Sequence, residues 1–281
     1  MKIGVLGAGT MGNGIAHVFS LYNHNVILVD ISKEILEDSL CTIKNNLDRQ
    51  LKKNIISQET LNKSINNITL SMDIKLFEPC QLIIEAIKED LSLKTNIFKN
   101  LDSVCNQNAI LASNTSSISI NSLAESTNRP DKVIGMHFMN PVPIMKLVEI
   151  IKGEKTSKET VDTIKNISHD LDKIPIECND SPGFVSNRIL MPMINEAAHC
   201  FNEGVADASS IDSIMKLGMG HPMGPLKLAD LIGVDVCVDI LEVLYDKFND
   251  EKYKPCDILI DMMKKNKLGK KSGEGFYKYE L

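Results

Sequence analysis

A histidine and a glutamate, each standing alone in an apolar run, are the two residues best suited to chemistry in this sequence. His137 lies in KVIGMHF and Glu149 lies twelve residues later in KLVEII. The segment NPVP separates the runs, and a turn centred near Pro143 would place the two side chains opposite each other in an antiparallel hairpin. A carboxylate beside an imidazole fixes its tautomer and stabilises the imidazolium, so the pair predicts a general base.

Each of these residues also has an ordinary interpretation. A lone histidine in an apolar run is more often a hydrogen-bonded core residue, and a lone glutamate on a strand is more often an edge residue that faces solvent. The two together, next to a nucleotide-binding turn, favour catalysis because perturbed titratable pairs concentrate at functional sites.

The nucleotide-binding turn is predicted at the G-x-G-x-x-G pattern of residues 7–12, GAGTMG. It follows the apolar run KIGVL, opens a helical pattern, and is followed by an acid, Asp30, at the end of the next apolar run. Such an acid accepts hydrogen bonds from ribose hydroxyls and repels a 2′-phosphate, which favours NAD(H) over NADP(H). An ordinary glycine turn and a flavin site are the alternatives. The predicted cofactor contacts here are Gly7, Gly9, Thr10, Met11, Gly12 and Asp30.

The elements around these residues predict an α/β protein with two domains. Strands and helices alternate up to Asp180, which is typical of a doubly wound, Rossmann-like domain over residues 1–180. Only helical periodicity follows, which predicts an all-α domain over residues 181–281. Strands are predicted at 2–7, 25–30, 81–87, 109–114, 132–138, 146–151 and 174–179, and helices at 10–23, 94–104, 120–127 and 151–173, with a helical, charged stretch over 32–67 and Ser157 as an N-cap.

Several further polar residues are candidates for the same site. ASNTSS, residues 112–117, ends another strand, so Asn114 is expected to contact cofactor and Ser116 a substrate oxygen. A nucleophilic serine is disfavoured because no G-x-S-x-G elbow is present, and a capped turn is the plain alternative. Asn187, early in the first helix of the second domain, is expected to face the cleft between the domains; its alternative is a solvent-exposed helix position.

Two basic segments stand out in this acidic chain. Arg49, Lys52 and Lys53 fall on roughly one side of a predicted helix and form a candidate anchor for a phosphorylated ligand. A solvated helix face is an equally good interpretation. The glycine-punctuated LGKKSGEGFYKY, residues 268–279, either packs back with Lys270 or Lys271 near the cofactor or is simply a tail.

The composition narrows the class of protein. A net charge of −6 argues against non-specific nucleic-acid binding, and 43% apolar residues support a large core. No apolar run is long enough to span a membrane, and the start of the chain does not have the composition of a signal peptide. Seven irregularly spaced cysteines predict reduced thiols in a cytoplasmic protein and no zinc or other metal site. The strongly apolar helices of the second domain predict a homodimer.

Six ordered blocks resemble the short-chain L-3-hydroxyacyl-CoA dehydrogenase family, and most closely its bacterial 3-hydroxybutyryl-CoA members. The blocks are GVLGAGTMGNGIA, ASNTSSISI, GMHFMNPVPIMKLVEII, DSPGFVSNRIL, HPMGPLKLADLIGVD and GKKSGEGFYKY, and together they span essentially the whole chain. The resemblance implies NAD(H)-dependent interconversion of (S)-3-hydroxybutyryl-CoA and acetoacetyl-CoA. It also implies a dimer built mainly through the helical domain.

The same resemblance implies residue roles, matched block by block. His137 takes the position of the catalytic base, Glu149 that of its partner, and Ser116 and Asn187 those of the substrate-oxygen contacts. Arg49 and Lys53 fall where the family holds coenzyme A, although Arg49 stands where lysine is usual in close bacterial relatives, and Met139 replaces a frequent Phe beside the histidine. The implied dinucleotide contacts are Asp30, Glu89, Lys94, Asn114, Ser116, Asn140 and Lys271.

Two other classes of function stay open at this point. A dehydrogenase for a hydroxy acid without coenzyme A would share the fold and the dinucleotide site. A non-enzymatic nucleotide-binding protein on the same scaffold would be expected to have lost part of the His137–Glu149–Asn187 set, and that set is intact.

Overall fold

The computed structural model describes residues 1–280 and divides into two compact units. The first, called here the α/β unit, comprises Met1–Asp180, and the second, called the helical unit, begins at Ser181. The predicted order of an α/β domain followed by an all-α domain is confirmed by the element order.

The α/β unit is built on one eight-stranded sheet with the order β3-β2-β1-β4-β5-β6-β7-β8. Neighbouring strands run parallel except β6 and β7, which form the antiparallel hairpin predicted from the prolines. The chain reverses its direction of strand addition after β3, as expected for a doubly wound sheet. The strands are β1 (Lys2–Leu6), β2 (Asn25–Val29), β3 (Ile68–Ser71), β4 (Leu82–Glu85), β5 (Ile110–Ser113), β6 (Val133–Phe138), β7 (Leu147–Lys152) and β8 (Ile174–Asn179).

Helices cover both faces of this sheet, and serines begin several of them. Ser32, Ser57 and Ser157 each accept a hydrogen bond from a backbone N–H three residues on, which satisfies an orphan donor of the first turn. The central strands are therefore buried on both sides, which explains their continuous apolar runs. The helices are α1 (Thr10–Leu21), α2 (Lys33–Lys52), α3 (Gln58–Asn66), α4 (Leu91–Val104), α5 (Ile120–Ala124) and α6 (Lys158–Asp170).

Over residues 181–280, the helical unit packs five α-helices around its own core. Leu226, Val238, Leu241 and Leu244 are fully buried there, and each large aliphatic side chain contributes roughly 1.5–3 kcal/mol when it leaves water. None of the helices among residues 1–280 is long and apolar enough to cross a membrane. The helices are α7 (Ser186–Asn202), α8 (Ala208–Met219), α9 (Pro225–Ile232), α10 (Val234–Phe248) and α11 (Asp257–Lys264).

Two details of the predicted secondary structure are wrong. Strand β3 was not predicted, because its four residues, ITLS, are only half-buried at the sheet edge and give no apolar run. The helix predicted over 151–173 begins only at Lys158, because residues 151 and 152 still belong to β7 and Ser157 caps the helix. The predicted N-cap at Ser157 is confirmed.

Candidate active site

The β6–β7 hairpin brings the two lone polar residues together. His137 pairs with Glu149 in the antiparallel register, so the hairpin is centred on Pro143 as predicted. The His137 Nδ1 lies 2.7 Å from Glu149 Oε2, and the two residues are 6% and 4% exposed. A carboxylate at Nδ1 accepts the hydrogen of that nitrogen, so Nε2 carries the lone pair and is the atom able to accept a proton.

Ser116 lies at that second nitrogen. Its Oγ is 3.2 Å from His137 Nε2, across from the Glu149 contact. The serine follows β5, which lies beside β6 in the sheet, so the carboxyl ends of two parallel strands meet at this point. The resulting order carboxylate, imidazole, hydroxyl is a proton-transfer arrangement in which a substrate hydroxyl would bind near Ser116.

Glu89 organises the turn that carries Ser116. Its Oε1 accepts bonds from Thr115 Oγ1 at 2.5 Å, from the Ser116 and Ser117 N–H groups at 3.0 Å and from Ser117 Oγ at 3.0 Å. Burial raises the pKa of Glu89, but the charge of Lys94 and the hydrogen bonds from Thr115, Lys94 and Ser116 outweigh it and lower the pKa below its ordinary value. Glu89 is therefore a fixed negative charge beneath the turn.

A buried glutamate that the sequence reasoning missed lies behind this turn. Glu85, the last residue of β4, is 0% exposed and bonds to the Nζ of Lys94, which is 1% exposed. The signal that could have found it was the one used for Glu149, a single glutamate inside an apolar run, here QLIIEAI. Because the ammonium of Lys94 is buried against carboxylates, the direct cofactor contact implied for Lys94 stays a prediction.

The two asparagines predicted at this edge have different surroundings. Asn114 is buried, and its Oδ1 accepts a hydrogen bond from the Phe138 N–H at 2.9 Å, which ties the end of β5 to the end of β6. Asn140 is exposed in the connection between β6 and β7 and lines a cleft. Their contacts with a cofactor stay predictions.

The glycine turn fits a pyrophosphate. Gly7 has a φ of +99°, and a Cβ on Gly12 would lie 1.8 Å from the Gly7 carbonyl oxygen, so the close approach of turn and helix requires glycine at both positions. A Cβ on Gly9 would meet nothing within 4 Å, which leaves the backbone open at the start of the 12-residue helix α1. Thr10 and Met11 belong to the first turn of α1, and the N–H groups at such a helix start are suited to binding a phosphate.

Asp30 directly follows β2 at the same edge of the sheet. Its Oδ2 accepts a hydrogen bond from the Ala8 N–H at 2.7 Å, so the carboxylate is held beside the glycine turn. This is the place and the charge expected for a ribose-binding acid that excludes a 2′-phosphate.

A cleft of about 390 Å³ adjoins the glycine turn within the α/β unit. One wall is the start of α1, a second is α2, and the third is the β6–β7 connection. Asn46 of α2 lines the cleft, and Arg49, one turn further, lies with its Nη1 3.5 Å from Asn46 Oδ1. Lys53 caps the end of α2, so both predicted coenzyme A contacts are exposed at one end of that helix.

The remaining predicted residues belong to the helical unit. Asn187 is the second residue of α7 and is 8% exposed, so it is a buried residue and the solvent-exposed alternative is wrong. Lys271 is exposed, and its Nζ lies 2.6 Å from Asp235 Oδ1 at the start of α10. A substrate contact of Asn187 and a cofactor contact of Lys271 stay predictions.

A glycine turn before a helix, an acid at the end of β2 and a histidine–carboxylate pair on one sheet edge are the features of a nicotinamide-dependent dehydrogenase. Comparisons with known proteins narrow this class. Residues 2–181 match the 3-hydroxyacyl-CoA dehydrogenase NAD binding domain, and residues 183–279 match the 3-hydroxyacyl-CoA dehydrogenase C-terminal domain. The chain belongs to the 3-hydroxyacyl-CoA dehydrogenase family, its activity is that of a 3-hydroxyacyl-CoA dehydrogenase, and its cofactor is NAD(H).

Full-length relatives agree with this assignment. A probable 3-hydroxybutyryl-CoA dehydrogenase of Bacillus subtilis is 49% identical, covering 99% of this chain and 97% of that protein. A 3-hydroxybutyryl-CoA dehydrogenase of Clostridioides difficile is 46% identical, covering 99% of each chain. The crystal structure of the (S)-3-hydroxybutyryl-CoA dehydrogenase of Ralstonia eutropha matches with a TM-score of 0.96 at 45% identity, over 100% of this chain and 99% of that chain.

Proposed function

We propose that the protein interconverts (S)-3-hydroxybutyryl-CoA and acetoacetyl-CoA, with His137 as general acid and base and Glu149 as its partner. The observation that carries the proposal is the order Glu149, His137, Ser116, with contacts of 2.7 and 3.2 Å at the ligand edge of a dinucleotide-binding sheet. Relatives named for this substrate support the choice of a short acyl chain.

In the oxidative direction, Nε2 of His137 takes the proton of the substrate 3-hydroxyl. Glu149 stabilises the imidazolium that results, because its carboxylate lies 2.7 Å from Nδ1. Ser116 donates a hydrogen bond to the reacting oxygen, and Asn187 is assigned to the thioester oxygen by the resemblance. Gly7–Gly12 and Asp30 would hold NAD⁺, which when bound would accept the hydride that leaves C3 of the substrate. In the reductive direction the same imidazolium returns the proton.

The experiment follows NADH absorbance with acetoacetyl-CoA and with 3-ketoacyl-CoA thioesters of increasing chain length. We expect turnover with the thioesters, highest for the shortest, and none with free acetoacetate. Turnover of free 3-keto acids without coenzyme A would support the non-CoA dehydrogenase instead, and NADH binding without turnover of either would support the non-enzymatic alternative. NADPH in place of NADH tests Asp30, and equal rates with the two would contradict the assigned preference for NAD(H).

The coenzyme A moiety is proposed to bind with its phosphates at Arg49 and Lys53. Both side chains are exposed at the end of α2 beyond the cleft-lining Asn46. The double variant Arg49→Ala/Lys53→Ala should raise KM for acetoacetyl-CoA, and the increase should shrink at high salt because exposed charges are screened. The KM for NADH should not change. Lys44→Ala, an exposed lysine on the same helix, is the matched control, and an equal effect there would contradict a defined phosphate site.

A homodimer built through the helical unit is the proposed assembly. This unit exposes apolar side chains on α7, α8 and α9, among them Ile189, Ile214 and Leu231, with Leu217 86% exposed. Exposed apolar side chains on three helices of one unit support a protein–protein interface. Leu217→Glu should shift the mass measured by light scattering from dimer to monomer, whereas Leu76→Glu, which changes an exposed apolar residue of the α/β unit, should not.

A further inference from the structure

Glu85 is a carboxylate buried at the carboxyl end of β4, where burial of a charge has to be compensated. It accepts four hydrogen bonds from three groups. Its Oε1 accepts from the Ile87 N–H at 2.7 Å and from Lys94 Nζ at 2.8 Å, and its Oε2 accepts from Ser113 Oγ at 2.6 Å and from Lys94 Nζ at 3.1 Å. Both carboxylate oxygens of Glu85 thus accept hydrogen bonds from the protein itself, so Glu85 is not expected to contact a ligand directly.

Lys94 transmits this arrangement to the site. Its ammonium bridges Glu85 and Glu89, with 3.1 Å to Glu89 Oε2. The lysine lies in the first turn of α4 and is buried along its whole length, so its position is set by the packing of that helix. The ammonium therefore fixes the position of the Glu89 carboxylate through Oε2, while Oε1 bonds to residues 115–117.

Two routes lead from Glu85 to the turn that carries Ser116. The first runs through Lys94 to Glu89, whose Oε1 accepts the bonds from residues 115–117 described above. The second runs through Ser113, whose Oγ donates to Glu85 and accepts from the Thr115 N–H at 3.2 Å. Both routes end on the residues that flank Ser116, whose Oγ lies 3.2 Å from His137 Nε2.

We infer that Glu85 is a positioning residue that, through Lys94, Glu89 and Ser113, holds Ser116 at the reactive nitrogen of His137. The inference rests on the proposed function, since it concerns the same proton transfer. A buried ion pair is a poor source of stability, because apolar residues of the same size often serve better. The ion pair between Glu85 and Lys94 is instead explained by its effect on the orientation of the turn that carries Ser116. Orientation matters there because a displacement of a reactive group by about 1 Å lowers the reaction rate strongly.

The variant that tests this inference is Glu85→Gln/Lys94→Met, which removes both buried charges together. The single variant Glu85→Gln leaves the buried Lys94 ammonium with Glu89 as its remaining carboxylate partner, so Tm is expected to fall. The double variant removes the buried ammonium as well and should recover most of that loss. Asp102→Asn is the matched control. Asp102 lies eight residues further along α4, roughly 12 Å away, and forms a buried ion pair with Arg129 at 2.7 Å that does not reach the turn.

A double-mutant cycle with Ser116→Ala shows whether the loss of the two charges acts through the position of Ser116 or through a general disturbance of the fold. We expect Glu85→Gln/Lys94→Met to lower kcat about tenfold or more in the wild-type background. In the Ser116→Ala background it should have almost no further effect, because the group that it positions is already gone. Asp102→Asn should lower Tm and leave kcat unchanged. Additive losses in the cycle, or an unchanged kcat in the charge-free double variant, would overturn the inference.

A second readout does not depend on turnover. In protein labelled with ¹⁵N-histidine, Ser116→Ala should move the Nε2 resonance of His137, and Glu85→Gln/Lys94→Met should move it in the same direction. An Nε2 resonance that stays at its wild-type position in the charge-free variant contradicts the inference, whatever the substrate. Absence of thioester turnover by the wild-type protein, with the resonance shift present, contradicts the proposed function alone.

Discussion

Two histidines are buried in the α/β unit, and they have opposite surroundings. His137, 6% exposed, has a carboxylate on one nitrogen and a serine hydroxyl near the other. His17 of α1 is 0% exposed, and its Nε2 lies 3.5 Å from the amide nitrogen of Gln50. Its Nδ1 has no hydrogen-bond partner among the residues that the structure describes.

The difference shows that burial by itself does not make a histidine a base. Burial, and then the positive charge of Lys173, lower the pKa of His17 from 6.5 to about 4, because nothing nearby stabilises its imidazolium. Glu149 supplies at His137 the negative charge that His17 lacks. An imidazole that must accept a proton in a dry site therefore needs a carboxylate within hydrogen-bonding distance.

The strongest test of this comparison replaces each histidine by glutamine. His137→Gln should lower kcat by at least about a hundredfold, the scale of a general-base contribution, while NADH still binds. His17→Gln removes an equally buried imidazole from the same unit and should leave kcat near the wild-type value. Steady-state rates with acetoacetyl-CoA, with NADH binding followed by fluorescence, provide the measurement. Comparable kcat losses in the two variants would mean that packing, not chemistry, explains the effect at His137.

The sequence predicted this pair but not all that surrounds it. His17 and His137 both lie in apolar runs, in GIAHVF and GMHF. Only the predicted hairpin distinguishes His137 from His17, because its centre at Pro143 places Glu149 opposite His137. That register follows from counting residues. The contact between Glu85 and Lys94 does not, because it joins a strand end to a helix turn through side-chain directions that spacing alone does not determine.

The next largest effect is expected from Glu149→Gln, which keeps the shape of the partner and removes its charge. Hydrogen bonds to charged groups contribute roughly 1.5–3 kcal/mol, so kcat should fall roughly ten- to a hundredfold. The pH dependence of kcat should also change, because the amide no longer stabilises the imidazolium. Glu177→Gln, on the edge strand β8, is the control because that carboxylate bonds to the partly exposed Lys165. An unchanged pH profile in Glu149→Gln would remove the carboxylate from the mechanism.

A smaller effect, on stability, is expected at His17. Its folded pKa lies below the ordinary value, so the unfolded chain binds a proton first as the pH falls. The contribution of the neutral, buried His17 to the free energy of unfolding is therefore fully present above about pH 6.5 and is lost as the pH falls toward 4. At about 1.4 kcal/mol per pKa unit the full loss is about 3 kcal/mol, of which about 2 kcal/mol falls between pH 7 and pH 5. Urea unfolding at the two pH values should show a smaller difference in His17→Gln, and an identical difference would mean that other groups cause the acid sensitivity.

The smallest effect concerns the share of Lys173 in the low pKa of His17. Lys173 is buried, and its ammonium donates to the carbonyls of Val142 and Met145 at 2.5 and 2.7 Å, with burial lowering its own pKa. Lys173→Met should raise the pKa of His17 only in part, because burial, the larger cause, persists. Titration of the His17 Cε1 proton signal measures this, and Lys155→Met, at an exposed turn, should leave the pKa where it was. A return of the His17 pKa to its ordinary value in Lys173→Met would mean that the charge of Lys173, and not burial, is the main cause of the low pKa. The difference between His17 and His137 would then come only from the sign of the neighbouring charge, positive at Lys173 and negative at Glu149.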